Sequence, residues 1–360
     1  MKAVIMAAGK GTRLLPLTAT RPKPMMPILN QPIIDSMIRA VKAAGIDEAT
    51  VLVDYLSDQI VRHLGDGSAF KMKLNYTTDN IKRGTAGAVR NAVLGEKEPF
   101  LVASADILTT VEMKRMIEAH SNSSANVTMM LASVTDPSQY GVADMDGKNR
   151  ITRFLEKPKK GEAFSNLVNA GAYVCNPEIF KMVSSDAACD FSRDLFPLML
   201  SKGMPINGFA FDGYWNDVGQ PSTYLAATAD IVEGKLDKEH RSGAYYLDEP
   251  KFGRLVTGSN CEIDASSVIE GFAVLGDNVR IGRGVRVSRS IIYSNTSIGD
   301  SSFVSEAIVG EGVAIEEAVV LDEGVVIGDR TIIGNDSRIG HNIKIWHHSR
   351  LGPGTKMLHT

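Results

Sequence analysis

Apolar and polar positions follow two different rhythms along this chain, and the change falls near residue 255. Before it, short apolar runs recur: KAVIMAA (2–8), ATVLVDY (49–55), KLNYTT (73–78) and PFLVASAD (99–106). Each reads as a strand, KAVIMAA and PFLVASAD as buried ones. Between them, PIIDSMIRAVKAAG (32–45) sets Ile34, Met37, Ile38 and Val41 on one helical face and stops at Gly45. DQIVRHLGDG (58–67) reads as a second helix, and GTAGAVRNAVLG (84–95) as a glycine loop opening a third. This alternation predicts an α/β fold with a mainly parallel sheet and helices on both faces. Ligands of such sheets sit beyond the carboxyl ends of strands, where the loops after VIMAA and FLVASA fall.

After residue 255 apolar residues return every sixth position, at Ile263, Ile269, Leu275, Ile281 and Val287. A step of five leads to Ile292, Ile298 and Val304, and another to Val309, Ile315, Leu321, Ile327, Ile333, Ile339 and Ile345. Glycine follows this position at 276, 282, 299, 310, 328, 334 and 340. A period of six is neither helical nor hairpin-like; it is the mark of hexapeptide β-helix repeats. Fifteen such positions, at three per turn, predict about five coils. The domains expected are therefore residues 1–235, a polar linker over 236–255, and the repeat region 256–360.

Composition narrows the function more than the fold. The 360 residues are 44% hydrophobic with a net charge of −3, which gives no basic footprint for nucleic acid. No apolar stretch approaches the roughly 18 residues of a membrane span, and VIMAA is too short for a signal segment. Cys175, Cys189 and Cys261 are scattered, with no CxxC, and fit a reducing, cytoplasmic setting.

The loop at residues 7–28, AAGKGTRLLPLTATRPKPMMPI, carries Gly9 and Gly11 with Arg13, Arg21 and Lys23. The glycines let backbone amides approach an anion, and the loop follows a strand, where phosphates bind. It is not GxxxxGK[ST], and Leu14 stands where GxGxxG needs its third glycine. Arg13 offers a fork for phosphate and Lys23 a point charge, with Pro22 and Pro24 stiffening the backbone around it. From the residues alone a glycine turn with surface cations stays open as the plainer reading.

AAGKGTRLLPLTATRPKPMMPILNQPII (7–34) closely resembles the signature of the sugar-1-phosphate nucleotidylyltransferases, or nucleotide-sugar pyrophosphorylases. The resemblance continues in order through GTAGAV, SADIL, YGVADMD, FLEKP, VNAGAYV, DLFPLML and GYWNDVGQPSTYLAA. It covers about the first 230 residues, and one branch of that family also carries a hexapeptide tail. It implies a Rossmann-like mixed sheet followed by a left-handed parallel β-helix, an NTP and a sugar 1-phosphate as substrates, and Mg²⁺. Arg13 and Lys23 match the residues that hold the nucleotide phosphates and steady the leaving pyrophosphate. Asp106 and Asp217 match the two metal carboxylates, a donor set that suits Mg²⁺. Ala8, Gly9, Gly11, Thr12 and Arg13, with Thr85, Ala86 and Gly87, match the nucleotide site. Gly141, Glu156, Lys157, Asn169 and Gly171 match the sugar-phosphate pocket, Lys157 on the phosphate and Glu156 and Asn169 on hydroxyls. The GTAGAV loop and the closing IKIW lean towards the mannose-1-phosphate guanylyltransferase branch, so GTP is the favoured nucleotide. A homo-oligomer built through the β-helix is expected, with neither nucleic acid nor membrane as partner.

Plainer readings stand beside these. Without the resemblance, Asp106 and Asp217 read as turn or cap residues and Glu156–Lys157 as a solvated pair. Trp215 reads as packing. His347 and His348 read as capping residues of the last coil rather than as an acyltransferase base. Other functions to weigh are uridylyl or thymidylyl transfer to glucose 1-phosphate, a non-catalytic sensor of nucleotide sugars, and an added acetyltransferase. The four charged residues argue against the sensor, and the absence of histidine from 257–340 argues against the acetyltransferase.

Overall fold

Ala3–Met6 lies between Glu48–Val53 and Phe100–Ser104, parallel to both, with Ile5 opposite Val51 and Ala103. The apolar runs are unbroken because this central part of the sheet is covered on both faces. The computed structural model describes residues 1–78, 83–185, 187–236, 245–249 and 253–358. By backbone proximity the chain forms two compact units, Met1–Gly9 with Ile34–Trp215, and Lys10–Ile33 with Asn216–Thr360.

The first unit is built on a nine-stranded mixed sheet. Its parallel part runs Phe100–Ser104, Ala3–Met6, Glu48–Val53, Lys73–Thr78. Leu167–Cys175 then pairs antiparallel with Phe100–Ser104 on one side and with Val127–Ser133 on the other. The helix Ile33–Ala43 buries the predicted stripe of Ile34, Met37, Ile38 and Val41. The GTAG segment is a helix and not a loop, because Gly84–Ala92 starts at its first glycine. Gly84 adopts φ +74°, and a Cβ there would lie 2.5 Å from the Cys189 carbonyl oxygen, so only glycine fits.

In the second unit the six-residue period becomes three stacked columns. Ile263, Ile281, Ile298, Ile315, Ile333 and Leu351 form one, pair by parallel pair. Ile269, Val287, Val304, Leu321, Ile339 and Met357 form the second. Leu275, Ile292, Val309, Ile327 and Ile345 form the third. These side chains make one continuous core along a parallel β-helix. The two steps of five shorten a coil from eighteen residues to seventeen, as in Ile281 to Ile298, without breaking a column.

Two expectations need correction here. The columns continue to Leu351 and Met357, so His347 and His348 do not cap the terminal coil. Part of the presumed linker is ordered, since Tyr245–Glu249 pairs antiparallel with Gly253–Thr257. The rest of that reading, 237–244 and 250–252, lies outside the described residues. Among the described residues no helix is long and apolar enough to cross a membrane.

Candidate active site

The opening loop is a chain of three single 3₁₀ turns, Thr12–Leu14, Leu17–Ala19 and Lys23–Met25. Leu14, Leu17 and Thr18 are buried and pin it from below, while Gly9, Thr12 and Arg13 stay exposed. Gly11 sits at φ +62°, and a Cβ there would meet Lys23 Cβ at 2.9 Å. The glycine therefore lets the two ends of the loop close on each other. Lys23, 7% exposed, places Nζ 2.9 Å from Asp217 Oδ1, and Arg13, 48% exposed, comes within 3.7 Å of Asp217 Oδ2. Gly219 leaves room for this meeting, since a Cβ would lie 2.9 Å from the Arg13 guanidinium. Two cations on one carboxylate leave an excess positive charge facing an open loop, which suits a polyanion.

The first unit holds a second cluster. Asn169 donates through Nδ2 to the Tyr173 hydroxyl (2.8 Å) and the Ser192 hydroxyl (3.0 Å), and its Oδ1 accepts the Gly171 amide (3.0 Å). The strand register shifts between Asn169 and Tyr173, with Gly171 at φ +80° in the bulge. Glu156 meets the same Ser192, and burial pushes its carboxyl pKa up against the pull of Lys157. Gly141 abuts Glu156, for a Cβ would lie 2.8 Å from Glu156 Oε2. Lys157 itself is exposed, in the left-handed region at φ +48° with its amide on the Tyr140 carbonyl.

Thr85 belongs to this cluster through Asp190. Its Oγ1 donates to Asp190 Oδ2 (2.8 Å) and accepts the Phe191 amide (3.0 Å). The Ala86 and Gly87 amides donate to the Cys189 carbonyl, so these donors are already engaged. Asp190 caps the π-turn Phe191–Leu195 by accepting the Ser192 and Arg193 amides. This turn thus ties the GTAG helix to Asn169 and Glu156, in keeping with the functional habit of π-turns.

The structure therefore joins Arg13, Lys23 and Asp217 in one unit, and Gly141, Glu156, Asn169, Gly171 and Thr85 in the other. Asp106 follows the strand Phe100–Ser104 and accepts the Ser104 hydroxyl. Trp215 packs edge-on to Tyr140 and donates to the Ala170 carbonyl, as a packing residue would. Sequence reasoning passed over Asp190, Ser192 and Tyr173. The one local signal was an aspartate ahead of the apolar run in DFSRDLFP, a cap pattern.

A cationic glycine loop after the first strand of a mixed α/β sheet suits the binding of phosphate groups. Comparison with known proteins makes this specific. The chain belongs to the nucleotidyl transferase family, whose model matches residues 2–234, and a GMPPB C-terminal domain model matches residues 252–339. The mannose-1-phosphate guanylyltransferase of Mycobacterium tuberculosis is 30% identical over 78% of this chain and 80% of its own. The mannose-1-phosphate guanyltransferase of Aspergillus fumigatus is 32% identical over 75% of this chain and 73% of its own. The UTP–glucose-1-phosphate uridylyltransferase of Synechocystis is 30% identical over 78% and 76%. Among solved structures, a putative glucose-1-phosphate thymidylyltransferase from Bacillus anthracis shares the fold at TM-score 0.60 and 23% identity, covering 67% of this chain and 99% of that one.

Proposed function

We propose that the protein transfers a nucleotidyl group from an NTP to a sugar 1-phosphate, with GTP and mannose 1-phosphate as its pair. A phosphate oxygen of the sugar phosphate attacks the α-phosphorus, the α–β anhydride bond breaks, and pyrophosphate leaves. The observation that carries this reading is the pair of cations, Lys23 and Arg13, held on Asp217 at the glycine loop. Such chemistry needs placement and charge neutralisation more than a protein nucleophile. Lys23 and Arg13 hold the triphosphate and balance the charge that grows on pyrophosphate. Glu156, Asn169 and Lys157 take the sugar phosphate.

Among the described residues no three metal-type side chains cluster. Mg²⁺ draws most of its shell from phosphate and water and needs only one or two ligands from protein. Asp106 and Asp217 are hard carboxylates of this kind and would hold Mg²⁺, which supplies Lewis-acid neutralisation when bound.

The test is a pyrophosphate-release panel of four NTPs against mannose and glucose 1-phosphates. GTP with mannose 1-phosphate is expected to give the highest kcat/KM. Glucose 1-phosphate should follow by roughly 5- to 150-fold, the scale of one unpaired buried hydroxyl partner. The equal identity to the Synechocystis uridylyltransferase favours a second reading, uridylyl transfer to glucose 1-phosphate. If UTP or dTTP with glucose 1-phosphate is faster by about tenfold or more, the guanylyl assignment falls and the reaction type stands. Copies of the chain also pair through the β-helix in this proposal. Among the described residues its strands Lys344–Ile345, Arg350–Leu351 and Lys356–Met357 each have one ladder neighbour, which leaves an edge to cover.

A further inference from the structure

The loop that carries Lys23 runs along one face of the β-helix, and its contacts keep a strict order. Asn30 Nδ2 donates to the Leu275 carbonyl at 2.8 Å. Met26 Sδ lies 3.8 Å from the Tyr293 hydroxyl. Arg21 reaches Glu311 at 3.1 Å and Asp329 at 2.9 Å. Lys344 Nζ donates to the Arg13 carbonyl at 3.3 Å. As the loop number falls from 30 to 13, the β-helix number rises from 275 to 344. A segment that meets successive coils in order is templated by that face.

Arg21 is the centre of this contact. Its side chain, 15% exposed, stacks on Tyr293 with the guanidinium carbon 4.7 Å from the ring centre. Its Nε is buried without a hydrogen-bond partner, so the carboxylates hold it by the far nitrogen. Asp329 Oδ2 also accepts the Thr20 hydroxyl at 2.6 Å, and its Oδ1 is fixed by the Glu311 amide at 2.8 Å. One buried carboxylate thus grips two consecutive loop residues. Pro22 and Pro24 flank Lys23 and lock φ on either side. A shift of Arg21 is therefore passed to Lys23 rather than absorbed between them.

We propose that Asp329, aided by Glu311, is a positioning residue: it fixes Arg21 and through it the Lys23 ammonium at the phosphate site. The inference rests on the nucleotidyl-transfer reading for its link to turnover. It makes the β-helix a working part of the phosphate-binding loop and not an assembly device alone.

The test uses the full chain with Asp329→Asn and Arg21→Gln. Asparagine preserves the cap, since Asn335 Oδ1 accepts the Glu317 amide at 2.8 Å one corner along in the same manner. Asp322→Asn is the control, because Asp322 pairs within the β-helix to Arg338 at 3.1 Å. Both test variants are expected to lower kcat about 10- to 100-fold, the scale of a misplaced group. KM for the sugar 1-phosphate should hold within about twofold, and Asp322→Asn should keep wild-type kcat. Hydrogen exchange of residues 11–26 should quicken roughly tenfold or more in Asp329→Asn and stay unchanged in the control. Unchanged exchange overturns the proposal whatever the turnover, as does a kcat within about twofold of wild type in both variants. If the wild type releases no pyrophosphate with any substrate pair, the functional reading fails, and the exchange experiment still decides this one.

Discussion

Asp217 holds the Lys23 ammonium at 2.9 Å and has the Arg13 guanidinium at 3.7 Å, so its charge is matched before any substrate arrives. In the proposed reaction a triphosphate would compete for those cations and leave the carboxylate to a metal ion, so the charge of Asp217 would matter more than its shape. Asp217→Asn and Asp106→Asn are each expected to lower kcat by about 10²-fold, the scale of losing one electrostatic stabiliser. Near-normal turnover in a folded Asp217→Asn protein would remove that residue from the site. Charge also sets two pH dependences of opposite sign. The hydrogen bond that His63 Nε2 donates to Asp35 Oδ1, at 2.7 Å, raises the His63 pKa against the cost of burial. Its stabilisation is then complete below the ordinary value of 6.5 and is lost as pH rises through the raised value. Burial pushes His120 down, with a bond to Asn176 opposing, so its neutral form contributes above 6.5 and that contribution is lost as pH falls. From about pH 9 to about pH 6, the stability gap between wild type and His63→Gln should widen, and the gap for His120→Gln should narrow. Urea midpoints read both, and gaps that ignore pH would sink the assignment.

At the level of elements, the β-helix was the most legible part of the chain and its end was the least. The periodic apolar positions from Ile269 to Ile345, six apart save for the two steps of five, are all buried in the core, because stacking coils repeat one environment and the period records it. Leu351 and Met357 keep that period, but glycine, proline and lysine around them dilute the apolar signal. The glycines record the same geometry. A Cβ on Gly276 would lie 2.4 Å from the Ser294 amide nitrogen of the next coil, whereas one on Gly352 would meet nothing within 4 Å. Gly276→Ala should therefore cost about 1–3 kcal/mol as overpacking, while Gly352→Ala should be near neutral. Thermal unfolding of the two variants measures the contrast, and equal shifts in Tm would refute the stacking account. Elsewhere the chain hid its elements for a different reason. GTAG reads as a loop because two glycines are poor helix formers, yet the Cys189 carbonyl satisfies the Ala86 and Gly87 amides and lets a helix begin there. Ser192 was invisible because its partners, Asn169 and Glu156, lie on strands far away in sequence.

The largest scale carries the sharpest departure from what the sequence suggests. A hexapeptide tail after a complete nucleotidyltransferase signature reads as a detachable module whose loss would change assembly and little else. By backbone proximity, however, Lys10–Ile33, the segment bearing Arg13 and Lys23, falls in the same compact unit as the β-helix. Met26, Ile28 and Leu29 of that segment are buried. Tyr224, from the helix Pro221–Val232, joins it there by donating to the Pro27 carbonyl and accepting from Tyr293 at 3.0 Å. Deleting residues 257–360 removes Tyr293, Glu311, Asp329 and Lys344 together. It uncovers apolar side chains of the loop and leaves Arg21 without either carboxylate. The truncated chain is therefore expected to lose about 10²-fold or more in kcat per folded subunit, or to aggregate through the uncovered loop. Light scattering with pyrophosphate release on the same sample separates the two accounts. A monodisperse truncated protein that turns over within about twofold of the full chain would show that the tail serves assembly alone. A lower mass accompanied by lost turnover, unrestored by raising protein concentration, is the outcome that an ordered template for the phosphate loop requires.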